Sequence, residues 1–173
     1  GDPGFASLRA LGIRTIISVD GASPDLRRAQ SAGLRYVHLP IGYDGMSREH
    51  ALRIARAVRD LHGPVYVHCH HGKHRSACAA GAAVVLLGLA EPERALERMK
   101  VSGTSPSYPG LFRVVQNAEA ASPAQLDAAS SDFPSTWTTS SFVQAMVEID
   151  DAMEHLKHIR TAHTGRRSDV IGG

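Results

Sequence analysis

Residues 64–76 read Pro64-Val65-Tyr66-Val67-His68-Cys69-His70-His71-Gly72-Lys73-His74-Arg75-Ser76. The first four form a short apolar strand opened by proline, which runs straight into a loop carrying four histidines, one cysteine and two fixed cations. From Ser76 to Ala90 the chain is Ala-rich and reads as a buried helix. A strand, a glycine-containing loop and a helix in that order can turn successive backbone N–H groups toward one concave point, with Gly72 permitting the positive φ that such a nest needs. The helix adds its positive end to the same point. An oxyanion such as phosphate fits there, and Arg75 can clamp two of its oxygens in a fork that lysine does not reproduce. Cys69 then lies at the bottom of the cup, where the field that binds phosphate also favours a thiolate. Nucleophile and electrophile are brought together.

Working outward, Thr15-Ile16-Ile17-Ser18-Val19 is a β-branched run ending in Asp20-Gly21 and reads as a buried strand. A short helix over 24–32 closes at Gly33, and Leu34 to Leu39 alternates until Pro40 ends a second strand. Ser47 caps a helix whose stripe is Ala51, Ile54, Ala55, Val58 and Leu61. Before all of these, Phe5, Leu8 and Leu11 mark a helical opening stopped by Gly12; after the loop, 91–101 and 109–120 are amphipathic helices. Strands alternating with helices predict an α/β fold, a central mostly parallel sheet flanked by helices. Ligands of such sheets bind beyond the carboxyl ends of the strands, where the quoted loop falls. Residues 121–139, rich in Ser, Ala, Asp and Pro, read as a linker. Phe142, Met146, Ile149, Met153, Leu156 and Ile159 give a C-terminal helix over 140–162 one apolar face, which packs on the domain or on a partner; the polar tail 163–173 reads as disordered.

With 173 residues, 43% apolar and 21% charged, the chain supports one ordinary domain, here over 1–120. A net charge of +2 provides no broad field for nucleic acid, so any anion is held locally. No apolar run reaches the roughly 18 to 20 residues that cross a bilayer. The chain begins with Gly1 rather than Met, so a trimmed export signal stays open beside a cytoplasmic location. Cys69 and Cys78 are too few for a disulfide framework; Cys69 reads as a free thiol, and Cys78 as a small core residue or as a partner protecting Cys69 by a reversible disulfide.

His68-Cys69, five residues, then Arg75-Ser76, with Gly72 third after the cysteine, resembles the signature of the cysteine-based protein tyrosine and dual-specificity phosphatases. The finer string Gly72 to Cys78 resembles the loop of atypical plant and fungal dual-specificity phosphatases, which hydrolyse inositol pyrophosphates. The resemblance spans about Phe5 to Ala120 and implies a phosphatase acting through phosphocysteine, with no cofactor and no metal. It implies that Cys69 attacks phosphorus, that Arg75 holds the equatorial oxygens and that Ser76 hydrogen-bonds the leaving thiolate. His68 orders the loop, while His70, His71, Gly72, Lys73 and His74 line the mouth and favour a highly anionic substrate. Asp44, in the connection after the second strand, is the expected general acid, with Asp20 a second candidate. The expected partner is a phosphorylated protein, bearing phosphotyrosine or phosphoserine, or a small phosphorylated metabolite such as an inositol phosphate.

Two other readings use the same residues. The His and Cys side chains could ligate zinc or copper, although neighbours on one tight loop splay apart and no second cluster completes a tetrahedron. Alternatively the cup binds phosphate without turnover, as an adaptor; an adaptor would most simply have lost the cysteine or the arginine, and both are present. His155, His158 and His163 lie at mixed spacings and read as solvated surface.

Overall fold

The computed structural model describes residues 3–22 and 25–137, together with Ile149 and Met153. Three parallel strands form the sheet: β1 (Thr15–Ser18), β2 (Arg35–His38) and β3 (Val65–His68), in spatial order β2-β1-β3. Ser18 stands opposite His38 on one side and His68 on the other, so the carboxyl ends of the strands are level. Every residue of β1 is buried, as a central parallel strand with both faces covered requires. Helix α1 (Pro3–Ala10) precedes the sheet, α2 (Leu26–Ser31) joins β1 to β2, and α3 (Arg48–Asp60) joins β2 to β3. Because β2 and β3 lie on opposite sides of β1, the chain reverses direction across the sheet between β1 and β3. Beyond the level ends of β1 and β3, the edge at which ligands of such sheets bind, the chain carries Asp20 and Cys69.

The pleat divides the core in two. Ile16 and Tyr36 point to one face, where Phe5 and Leu8 of α1 and Leu26 and Ala29 of α2 cover them. Ile17, Val19, Val37 and Leu39 point to the other and pack with Ile54 and Ala55 of α3 and with α4 (Arg75–Leu86), α5 (Pro92–Val101) and α6 (Pro109–Gln116). Helix α3 starts where expected: the Ser47 hydroxyl accepts the His50 N–H at 3.2 Å. The connection from β2 to α3 makes a tight turn, bridged between Gly42 and Gly45, that rests on the start of α6. A Cβ at Gly110 would run into the carbonyl of Asp44. Gly110→Ala should therefore lift this turn and cost about 1–3 kcal/mol, measured by denaturant unfolding.

Composition marked 121–139 as a linker, and its described part is ordered against the domain. Helix α7 (Pro123–Ala128) opens with a reciprocal cap between Ser122 and Gln125 and buries Leu126. Residues 129–137 then run along α3 as a strap. Arg56 donates to the carbonyl of Asp127 at 2.6 Å, Arg59 pairs with the Asp127 carboxylate at 2.7 Å, and Arg53 reaches the Asp132 carbonyl and stacks 4.6 Å from the Trp137 ring. By contact the chain divides into Gly1–Trp137 and Thr138–Gly173. The helix expected over 140–162 lies outside the described residues except for Ile149 and Met153, both helical; the tail at 163–173 lies outside them altogether. Among the described residues no helix is long and apolar enough to cross a membrane.

Candidate active site

Strand β3 ends at His68 and α4 begins at Arg75, so the loop between them is anchored at both ends by regular structure. Gly72 takes φ +69°, the left-handed turn expected of it. His74 is the N-cap of α4 and its side chain makes no capping bond, so the helix's first N–H groups face the loop. Cys69 is only 5% exposed, and its Sγ lies 3.4 Å from the Ser76 Oγ. As a thiol, Cys69 donates in this contact; as a thiolate it accepts the serine hydroxyl's proton instead. Cys78, fully buried one helical turn into α4, is a free core thiol that burial pushes up to about 12.

Arg75 is 1% exposed, with its guanidinium directed inward. Its Nη2 is 3.1 Å from Oδ1 of Asp20, itself 6% exposed, and its Cζ lies 4.5 Å from the centre of the Tyr43 ring. Tyr43 stacks in turn on Tyr108 at 4.5 Å. Asp20 is the acidic residue paired with the loop, its second oxygen lying 3.9 Å from Nδ1 of His70. Asp44 is placed differently. It is exposed, folds its carboxylate back over Gly42, and lines a cavity of about 330 Å³ with Arg48, Arg113 and Asn117. Cys69, His70, His71 and Gly72 line another, of about 500 Å³, whose far wall is Phe5, Leu8 and Tyr66.

The remaining loop residues separate into supports and mouth. His74 is buried: its Nδ1 accepts the Ser105 N–H at 3.2 Å, and its ring meets Tyr108 at 5.0 Å. Thr104 donates its hydroxyl to the Lys73 carbonyl at 2.6 Å. The turn after α5 therefore clamps the loop from a site that sequence pattern alone did not mark. His70 and Gly72 are exposed, while His71 and Lys73 are half-buried. Among the described residues no three His, Cys, Asp or Glu side chains gather into a set that could hold a metal ion.

His68 is fixed by the Tyr36 hydroxyl at 2.9 Å from its Nε2 and by stacking on Tyr66. Burial lowers its pKa below the ordinary histidine value, and does the same to His38 and His50. Since the unfolded chain takes up these protons near 6.5 and the folded one only at lower pH, the stability these groups provide is present above 6.5. It is lost as pH falls from there toward the folded values. Urea midpoints measured from pH 8 down to pH 5 should decline below about 6.5, and the decline should weaken in His68→Gln.

No protein-family model matches the chain, and no curated protein matches it in sequence. Solved structures do. TpbA of P. aeruginosa matches at a TM-score of 0.57 and 25% identity, over 68% of this chain and 74% of that one. A cysteine-to-serine variant of TpbA in complex with phosphotyrosine matches at 0.58 and 23% identity, over 75% and 81%. A Neisseria meningitidis Z2491 protein described as a candidate phosphatase matches at 0.53 and 18% identity, over 69% and 88%. The small parallel sheet flanked by helices, with its cysteine loop running from β3 into α4, thus has the fold of cysteine-based phosphatases.

Proposed function

We propose that the chain is a phosphatase that uses Cys69 as its nucleophile and hydrolyses phosphate monoesters or phosphoanhydrides. One observation carries this reading: a cysteine 3.4 Å from the Ser76 hydroxyl, in a strand-to-helix loop that the buried guanidinium of Arg75 closes. The Cys69 thiolate attacks phosphorus in line, a P–S bond forms and the P–O bond to the leaving group breaks. Arg75 and the loop's N–H groups hold the equatorial oxygens. Water then attacks the phosphocysteine, the P–S bond breaks, and Ser76 donates a hydrogen bond to the departing thiolate. Asp44 protonates the leaving oxygen in the first step and takes the water's proton in the second, after its carboxylate turns from Gly42 toward the loop. What supports this role is that its neighbour in sequence, Tyr43, rests on Arg75.

His70, His71, Gly72 and Lys73 form the mouth, and His74 holds the loop's shape. Lysine and histidines at an open mouth favour a densely charged substrate, an inositol pyrophosphate before a phosphotyrosine peptide. The test sets an aryl phosphate, a phosphotyrosine peptide and an inositol pyrophosphate side by side. Turnover of all three with the highest kcat/KM on the inositol pyrophosphate is expected; turnover of none, at any pH from 5 to 8, would sink the phosphatase reading. Iodoacetate should alkylate Cys69 and spare Cys78, and inorganic phosphate should protect Cys69.

A further inference from the structure

A line of polar contacts, two hydrogen bonds and then an ion pair, runs from the strap to the loop arginine. The backbone N–H of Trp137 donates to Nδ1 of His38 at 3.1 Å. With Nδ1 accepting, the imidazole proton sits on Nε2, which donates to the Asp20 carbonyl at 2.7 Å. The Asp20 carboxylate in turn meets Nη2 of Arg75 at 3.1 Å. His38, Asp20 and Arg75 are all buried. The strap is held independently by Arg53 at the Asp132 carbonyl and by Arg56 at the Ala129 carbonyl, and it receives the His38 N–H at the carbonyl of Pro134, 2.8 Å away.

We propose that Trp137, His38 and Asp20 are positioning residues that set the guanidinium of Arg75 for phosphoryl binding, which makes the strap at 129–137 a working part of the active site. The proposal rests on the phosphatase reading. A guanidinium is a rigid planar fork, so the buried Asp20 charge beside one of its nitrogens favours one setting of the whole fork. Asp20 can do this because the chain is held at Val19 just before it and at its own carbonyl. Strand pairing brings Val19 N–H to the His68 carbonyl at 2.9 Å, which sets the spacing between the β1 end and the loop. The His38 contact then stops the Asp20 peptide from rotating. Losing either hold lets the fork swing, and small misplacements of a substrate-binding group lower kcat steeply.

Proline at 137 deletes the N–H, whereas alanine keeps it and removes only the indole, so the pair isolates one hydrogen bond. Expected are a kcat reduced roughly 10- to 100-fold in Asp20→Asn, equally for p-nitrophenyl phosphate and phenyl phosphate, with KM moving far less. Trp137→Pro should lower kcat several-fold more than Trp137→Ala, and that extra loss should vanish in the Asp20→Asn background. Losses that multiply in the double variant overturn the relay. A loss confined to phenyl phosphate, the substrate with the poorer leaving group, also overturns it, since Asp20 would then be the proton donor. If Trp137→Pro fails to fold, His38→Gln, whose amide nitrogen can reach the Asp20 carbonyl, should retain more kcat than His38→Asn; equal values contradict the proposal. Wild-type protein without turnover would sink the phosphatase reading alone. The relay would then be read from the dissociation constant of inorganic phosphate, which Asp20→Asn and Trp137→Pro should shift non-additively.

Discussion

Cys69→Ser is expected to lower kcat on aryl phosphates by roughly 10⁴- to 10⁶-fold, the scale on which an enzyme loses turnover with its covalent nucleophile. The exchange is nearly isosteric, so the reason is chemical. A serine hydroxyl is a far weaker acid than a thiol, and the side chain that position 69 meets at 3.4 Å is that of Ser76, another hydroxyl rather than a base. The proposed anion site consists of backbone N–H groups, the start of α4 and Arg75, none of which changes. Inorganic phosphate should therefore bind the variant about as well as wild type, measured by calorimetry. Loss of turnover with retained phosphate affinity separates a missing nucleophile from a collapsed loop.

Arg75→Lys should lower kcat/KM by roughly 10²- to 10⁴-fold, as removal of a transition-state donor does elsewhere. Lysine keeps the charge but brings a single ammonium in place of the planar fork. It can hold one phosphoryl oxygen or reach Asp20, and it cannot keep the geometry that lets arginine do both. The stacking of the guanidinium on Tyr43 is lost with it. Arg75→Ala is the more damaging change for stability, costing about 3–5 kcal/mol, because it leaves the Asp20 charge buried without its partner. The lysine variant is the one that reports on catalysis. Its unfolding midpoint should stay near wild type while its activity falls.

Much of this arrangement was legible in the chain before any coordinates. The β-branched run at 15–19 became the buried central strand, the Ser47 cap opened α3 as read, and Gly72 turned the loop. Each of those signals is local: a propensity, a cap or a φ preference that neighbours in sequence fix. The strap was not legible for the converse reason. Its anchors are backbone carbonyls at 129, 132 and 134 and the N–H of Trp137, groups every residue carries, so Ser-, Ala- and Pro-rich composition pointed to a linker. Asp20 stood second as an acid because Asp-Gly reads as an ordinary turn pair; only the register of β1 against β3 reveals it beside Arg75. Asp44 follows a strand as a loop acid should, yet its turn is pinned by the approach of Gly110, far along the chain. Thr104 and Ser105 clamp the loop across a sequence separation that leaves no periodic trace.

The proposed reaction passes through a covalent bond between phosphorus and the sulfur of Cys69. Rapid mixing with an excess of aryl phosphate, acid quench within the first turnover, and mass analysis of the digested protein read that bond directly. The phosphoryl group should be found on the peptide that carries Cys69, and should be absent from Cys69→Ser. Product released in full with no phosphorylated peptide at any quench time, or the phosphoryl group on a histidine of the same loop, would contradict it.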